Sequence, residues 1–170
     1  MNQQSTHKNW PHKNFDVFVT LSTDKRGFPV QQLKSNISIL FCMIEKKMIG
    51  SRFHKKPYKE RIRYIGFGEH INDEINLPHY HLLLKFPENI KEKYPNRYES
   101  EFKELLEKYY QKFVKPTFKK IDADGPSIKI VWNRYCDVQE IKSQGVVNYV
   151  TKGLLDPKNE EHIINHCSPF

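Results

Sequence analysis

Apolar runs bounded by polar turns predict five β-strands. The first covers 15–22, which is rich in aromatic and β-branched residues. Two further runs, 62–69 and 77–86, flank a polar turn and predict an antiparallel hairpin. The runs 127–132 and 135–141 follow a turn cluster and predict a second pair of strands.

Apolar residues spaced at three or four predict three helices. The first, 30–48, carries one continuous apolar stripe, and the second, 99–114, carries a stripe of aromatic and leucine side chains. The third, 143–155, begins at Ser143, a residue type that favours helix N-caps. The order β-α-β-β-α-β-β-α predicts an α+β fold, in which helices flank an antiparallel five-stranded sheet.

The length of the chain predicts one folded domain, since 170 residues can bury most of their apolar surface in a single core. We expect a polar N-terminal segment at 1–13, the folded domain at 14–156 and a C-terminal tail at 157–170. No segment reaches the roughly 18 consecutive apolar residues that a membrane span needs, and the N-terminus lacks the apolar core of a secretion signal. These features predict a soluble protein of the cytoplasm.

Positive charge is concentrated in one stretch of the sequence. The formal net charge is +8 and the isoelectric point is about 9.3. A cluster of this kind favours a polyanionic partner, although an ordinary solvated loop stays an alternative. We refer to the following residues as the basic cluster: Lys46, Lys47, Arg52, Lys55, Lys56, Lys59, Arg61 and Arg63.

Two histidines, His79 and His81, form the first candidate site. They are two residues apart in a predicted strand, so both imidazoles point to the same face. Because an apolar run follows them, the rings need polar partners, and a divalent metal ion would be one. Glu69 ends the preceding strand and would complete a His-His-carboxylate set that suits magnesium or manganese, with Glu74 in the turn as the alternative. The alternative is that His79 and His81 are ordinary surface or core histidines that bind no metal.

A tyrosine and a lysine on the last predicted helix form the second candidate site. Tyr149 and Lys152 are three residues apart and therefore lie on neighbouring positions of one helical face. A phenol has a pKa of about 10, so it needs nearby positive charge to act as a nucleophile at neutral pH. Lys152 and the metal ion would both supply it. A packed tyrosine and a solvated lysine on an amphipathic helix are the structural alternative.

Three segments of the chain, in this order, resemble the motifs of the H-U-H (HUH) endonucleases. The segment 18–22 resembles the first motif, 78–81 (Pro-His-Tyr-His) resembles the two-histidine motif, and 146–152, with Tyr149 and Lys152, resembles the motif of the nucleophile. Within that superfamily the resemblance is to the replication-initiator (Rep) proteins of rolling-circle plasmids and single-stranded DNA viruses, those with a single catalytic tyrosine.

The resemblance implies an RRM-like sheet with the histidine motif on a central strand. It implies that His79, His81 and Glu69 bind a divalent ion, Mg²⁺ or Mn²⁺. Tyr149 would attack a phosphate to leave a 5′-phosphotyrosine and a free 3′-hydroxyl, and Lys152 would assist. The expected function of 14–156, as an HUH nuclease domain, is site-specific nicking and rejoining of single-stranded DNA that initiates rolling-circle replication.

The expected partner is single-stranded DNA with a hairpin origin, bound by the basic cluster. A host helicase would act in trans, because no Gly-x-x-x-x-Gly-Lys-Ser/Thr loop occurs in the sequence. Three alternatives stay open: an HUH transposase or relaxase-like strand transfer enzyme, a non-catalytic RRM-like nucleic-acid-binding module, and a different metal enzyme such as a zinc hydrolase. His162, His166 and Cys167 indicate either a second metal site or a flexible or packed tail.

Overall fold

The computed structural model describes residues 14–22, 30–70, 78–114 and 136–166. None of the helices in these ranges is both long enough and apolar enough to cross a lipid bilayer. Short 3-10 helices lie in the loops around the sheet. The main elements are the strands β1 (Val17–Ser22), β2 (Arg63–Glu69), β3 (His79–Lys85), β4 (Cys136–Glu140) and β5 (Ile163–His166), and the helices α1 (Val30–Met48), α2 (Glu88–Lys93), α3 (Tyr98–Val114) and α4 (Gln144–Leu155).

The five strands form one sheet in the order β4-β1-β3-β2-β5, and every neighbouring pair is antiparallel. β1 and β2 are therefore parallel, with β3 between them, and β3 and β4 are parallel, with β1 between them. Each of these parallel pairs is joined through helices and has another strand between its members, so the fold contains two split β-α-β units. The predicted fold class, an α+β protein with an antiparallel five-stranded sheet flanked by helices, is confirmed, and β3 with its two histidines is the central strand.

One face of the sheet carries the larger core, under α1 and α3. Because side chains alternate along a strand, Val19, Tyr64 and Leu82 all point to this face, and all are at most 1% exposed. Phe41 of α1 and Phe102 of α3 pack against them and are equally buried. Burial of each such side chain stabilises the fold by roughly 1.5–3 kcal/mol, so this layer fixes the sheet on which the other face is built.

The opposite face of the sheet carries a smaller apolar cluster under α4. Val147 and Val150 of α4 pack against Phe67 of β2 and Leu83 of β3. Gly153 makes this approach possible, because a Cβ atom at that position would overlap the Phe67 ring. Helix α4 therefore lies close against β2 and β3.

The C-terminal part of the fold differs from the prediction. The tail predicted at 157–170 contains a 3-10 helix, Pro157–His162, and the edge strand β5, which pairs with β2 from Tyr64↔His166 to Phe67↔Ile163. The folded unit therefore continues past 156 because Ile164 completes the core beside β2. The strand predicted at 127–132 and the segment 1–13 lie outside the described residues, and the short helix α2 was not predicted.

Candidate active site

The predicted metal ligands come together at one end of the central strands. In the β2–β3 register Glu69 lies directly opposite His79, and His81 is two residues further on the same face. One carboxylate oxygen, Glu69 Oε2, is 3.1 Å from His79 Nε2 and 3.3 Å from His81 Nε2. The alternative ligand, Glu74, lies outside the described residues.

Tyr149, the predicted nucleophile, contacts Glu69 and His81. The Tyr149 hydroxyl donates a hydrogen bond of 2.7 Å to Glu69 Oε1, the carboxylate oxygen that is not shared by the histidines. The Tyr149 ring lies edge-on to the His81 ring, with centroids 5.3 Å apart and an interplanar angle of 80°. Tyr149 is 44% exposed, so its hydroxyl is open to a ligand from solvent while it touches the histidine and carboxylate cluster.

His81 is the most enclosed member of the site, with 8% of its surface exposed. Its ring stacks on Phe18 at a centroid distance of 5.5 Å, and its Nδ1 lies 3.2 Å from the Thr20 hydroxyl oxygen. Its Nε2 is buried and, within the described part of the chain, makes no hydrogen bond. The 3.3 Å approach to Glu69 Oε2 is therefore a close contact without the alignment of a hydrogen bond.

His70 adds an imidazole that the sequence did not single out. It directly follows β2, with φ of 56° in the left-handed region, and its ring centroid is 5.4 Å from that of His79. The ligand atoms of Glu69, His70 and His79 all lie within 4.8 Å of one another. Two overlapping triads therefore share Glu69 and His79, one completed by His81 and the other by His70. The only local signal for His70 is its position next to Glu69.

The electrostatics of the site favour a charged Glu69 carboxylate beside the imidazoles. Burial alone would raise the pKa of Glu69, but the hydrogen bond from Tyr149 and the two imidazoles bring the pKa below its usual range. Burial and the neighbouring His79 lower the pKa of His81. Burial and the Glu69 carboxylate raise the pKa of the Tyr149 phenol well above its ordinary value. At neutral pH, Glu69 is therefore an anion and Tyr149 keeps its proton.

These residues fit a divalent cation. A buried nitrogen without a hydrogen bond is costly, and the His81 Nε2 atom lies 3.3 Å from Glu69 Oε2. Two imidazoles and a carboxylate oxygen are donors that first-row divalent metals accept, and the exposed side of the cluster leaves room for substrate oxygen. His79, His81 and Glu69 would hold the ion, with His70 next to them.

The predicted assisting lysine, Lys152, lies one turn after Tyr149 on α4 and is exposed to solvent. Its spacing from Tyr149 places both side chains on neighbouring positions of the helix surface. The described contacts of the site join Tyr149 to Glu69, Phe67 and His81 and do not include Lys152. The structure therefore brings the tyrosine, but not the lysine, into contact with the cluster.

The basic cluster lies at the other end of the sheet. Lys46 and Lys47 are exposed in the last turn of α1, and the loop that follows leads to Arg63, the first residue of β2. Glu69 is the last residue of the same seven-residue strand, so the two ends are roughly 20 Å apart. The exposed lysines near the Arg63 end are therefore separate from the group of residues around Glu69.

Arg61 is the exception within the basic cluster. Its guanidinium donates hydrogen bonds of 2.6 and 3.2 Å to the two carboxylate oxygens of Glu45, a residue with no exposed surface. The backbone N–H of Ile62 also donates to Glu45, at 3.1 Å. The Arg61 guanidinium is therefore paired with a buried carboxylate, and its assignment to the DNA-binding surface stays a prediction.

The C-terminal histidines do not form a second metal site among the described residues. His166 Nε2 lies 2.8 Å from Arg61 Nη2 and 3.5 Å from Glu45 Oε2, on the face of the sheet that carries the larger core. His162 belongs to the preceding 3-10 helix, and Cys167 lies outside the described residues. His166 therefore serves the packing of β5 against the core.

Comparisons with known proteins do not identify a relative of this chain. The geometry brings Tyr149 and the two histidines of the motifs described above into contact with Glu69. No protein-family model matches the chain, and no curated protein or solved structure is significantly similar to it.

Proposed function

We propose that this protein is an HUH endonuclease that nicks and rejoins single-stranded DNA at a specific site through a covalent phosphotyrosine. One observation carries the proposal. Glu69 Oε1 accepts a hydrogen bond from the Tyr149 hydroxyl, and Glu69 Oε2 lies within 3.3 Å of a ring nitrogen of both His79 and His81. Because Glu69 contacts both Tyr149 and the two histidines, the phenol oxygen and a cation bound by these ligands can face the same phosphorus. Phosphoryl transfer requires this geometry.

The reaction is a transesterification in which one phosphorus–oxygen bond replaces another. The Tyr149 phenol oxygen attacks the phosphorus, loses its proton, and becomes the 5′-phosphotyrosine. The bond from the phosphorus to the 3′-oxygen breaks, and that oxygen takes up a proton to leave as a 3′-hydroxyl. A bound divalent ion supplies charge neutralisation at a non-bridging phosphate oxygen. Attack by a 3′-hydroxyl on the phosphotyrosine reverses the steps and rejoins the strand.

The chain positions the nucleophile through a rigid helix. Val147 and Val150 hold α4 against the sheet on either side of Tyr149, and Glu69 orients the hydroxyl from below. Such fixed placement lowers the entropy that must be lost before attack. The high pKa of Tyr149 means that the phenol is not ionised in advance, so positive charge at the site has to favour proton loss. The ion and the exposed Lys152 are proposed to supply it.

The proposed substrate is single-stranded DNA next to a hairpin origin, and the proposed role is initiation of rolling-circle replication with a host helicase acting in trans. The exposed lysines of the basic cluster support contact with a polyanion over a distance greater than the cleavage site itself. A transposase or relaxase-like enzyme would use the same chemistry and differ in the DNA that it joins.

Replacement of the nucleophile tests the proposal. Tyr149→Phe should reduce to background the formation of a denaturant-resistant adduct with labelled single-stranded DNA and Mn²⁺, because the attacking oxygen is removed. DNA binding should stay nearly unchanged. The matched control is Tyr58→Phe, since Tyr58 is similarly exposed, at 50%, but lies in the loop of the basic cluster, and this variant should form the adduct.

An adduct with Tyr149→Phe would reject Tyr149 as the nucleophile. DNA binding by the unaltered protein without any adduct, over a range of oligonucleotides and with Mn²⁺ present, would favour a non-catalytic RRM-like binding module instead.

A further inference from the structure

The two ring nitrogens of His81 have different surroundings. Nδ1 lies 3.2 Å from the hydroxyl oxygen of Thr20, which is directly opposite His81 in the β1–β3 register. Nε2 is buried, lies 3.3 Å from Glu69 Oε2, and makes no hydrogen bond to any residue that the structure describes. One nitrogen therefore has a polar partner on the strand beside it, and the other faces the carboxylate.

This difference favours one of the two neutral forms of the ring. A proton on Nε2 would be a buried donor without an aligned acceptor, which is unfavourable. A proton on Nδ1 can be donated to the Thr20 hydroxyl oxygen, which leaves the Nε2 lone pair facing the space beside Glu69. A lone pair and a carboxylate oxygen at 3.3 Å repel each other unless a cation lies between or beside them.

Packing alone does not select the orientation of the ring. Phe18 stacks on one side of His81 at an angle of 9°, and the Tyr149 ring meets it edge-on, so the plane of the imidazole is fixed. A half-turn of the ring keeps the same plane and shape but exchanges Nδ1 and Nε2 with carbon atoms. Only a polar contact distinguishes the two orientations, and Thr20 provides it on the side away from Glu69.

We propose that Thr20 is a positioning residue that fixes the tautomer and orientation of His81, so that Nε2 is available to the metal ion. The inference rests on the proposed function, since it names how one ligand of that metal site is held. Partners of this kind orient metal-binding histidines by accepting the other ring N–H, and their loss weakens metal affinity by about 10- to 100-fold.

The test compares two substitutions that differ in the hydroxyl. Thr20→Val keeps the branched shape but removes the acceptor, and it should weaken Mn²⁺ binding, measured by calorimetry on the metal-free protein, by about 10- to 100-fold. Thr20→Ser keeps the hydroxyl and should restore affinity close to that of the unaltered protein. NMR of ¹⁵N-labelled imidazoles with Mg²⁺ present should show His81 protonated at Nδ1 in the unaltered protein, and a changed tautomer population in Thr20→Val.

Thr151→Val is the matched control, because it removes a hydroxyl on the same face of the sheet, one that donates to the Val147 carbonyl at 2.7 Å, and should leave Mn²⁺ affinity unchanged. Unchanged affinity in Thr20→Val, or His81 protonated at Nε2 in the unaltered protein, overturns the inference even if DNA adducts form. Thr20-dependent Mn²⁺ binding without any adduct supports the inference and counts against the nuclease. Absence of Mn²⁺ binding by the unaltered protein overturns both.

Discussion

At the scale of single residues, two carboxylates beside histidines serve different purposes on opposite faces of the sheet. Glu45 has no exposed surface and accepts hydrogen bonds from Arg61 and from the Ile62 backbone, so its acceptor positions are occupied. The Glu69 side chain is 27% exposed and touches His79 and His81 from one oxygen only. Glu45 is therefore suited to structural stabilisation, whereas Glu69 has lone pairs available to a ligand.

Glu45 should control the acid sensitivity of the fold. Burial opposes its ionisation, but the hydrogen bonds from His166 and Arg61 lower its pKa below the ordinary value of 4.5. A pKa lowered by folding means that the ionised carboxylate stabilises the protein above pH 4.5 and that this contribution is lost as the pH falls through the lower folded value. Glu45→Gln should lower the free energy of unfolding at pH 7 by about 3–5 kcal/mol. It should also flatten the acid side of the stability curve.

Chemical denaturation between pH 7 and pH 3 measures both effects. Glu88→Gln is the control, because the Glu88 side chain is 79% exposed beside Lys91 and its loss should change stability by less than about 0.5 kcal/mol. An equal acid dependence in Glu45→Gln and the unaltered protein would contradict a stabilising role for the ionised carboxylate.

At the scale of elements, local periodicity could predict most of the fold, and long-range pairing accounts for the rest. The apolar stripe of α1 and the period of two in β3 depend on neighbouring residues, so the sequence pattern shows them, and with them the common face of His79 and His81. The strand β5 is only four residues long, and its partner in β2 lies about a hundred residues earlier. Its existence depends on that pairing, which no local window contains.

The same limit applies to the candidate site. Glu69, His79 and Tyr149 could be predicted because each lies at a definable position of a predicted strand or helix. The contact of Thr20 with His81 needs the β1–β3 register, and the placement of His70 needs the left-handed turn after β2. The spacing of residues along the sequence shows neither the contact nor the turn, so neither could be predicted.

The close packing of α4 should be required for activity. Gly153→Ala introduces a Cβ that overlaps the Phe67 ring, so α4 should move outward and carry Tyr149 away from Glu69. Overpacking of this kind costs about 1–3 kcal/mol of stability. The rate of adduct formation should fall about 100-fold, since a displacement of about 1 Å from the attack geometry has an effect of this size.

The control for this helix is Gly145→Ala, whose new Cβ would meet only the Ser143 hydroxyl at 3.6 Å. It should keep the adduct rate and lose no stability, because alanine favours a helix over glycine. A Gly153→Ala protein with unchanged rate and melting temperature would show that the α4–β2 distance is not limiting.

At the scale of the whole molecule, charge and chemistry lie at opposite ends of the sheet. The proposed active site is at the Glu69 end of β2, and the exposed lysines of the basic cluster are near the Arg63 end, roughly 20 Å away. Binding and cleavage should therefore be separable by substitution. A nucleic acid that contacts both regions has to extend along the molecule by several nucleotides from the cleaved bond.

The double variant Lys46→Gln/Lys47→Gln should weaken binding of single-stranded DNA and reduce its salt dependence. The logarithmic slope of affinity against salt should fall by about 0.7 for each phosphate contact that is lost. Adduct formation at saturating DNA should stay unchanged, because neither lysine approaches Glu69. Fluorescence anisotropy at several salt concentrations measures the slope.

The double variant Lys103→Gln/Lys108→Gln removes the same charge from the exposed side of α3 and should affect binding less. Equal losses of affinity in the two double variants would indicate a general charge effect and would contradict a specific role for the basic cluster.

The position of α4 between β4 and β5 has a mechanical consequence. These two strands are the opposite edges of the described sheet, and α4 follows one and precedes the other along the chain. The sheet is about 19 Å wide, and α4, whose 12 residues span about 18 Å, packs against the inner strands β2 and β3. In the proposed reaction, tension on a DNA strand joined to Tyr149 would load the apolar contacts of α4 and would pass along the chain toward both edge strands.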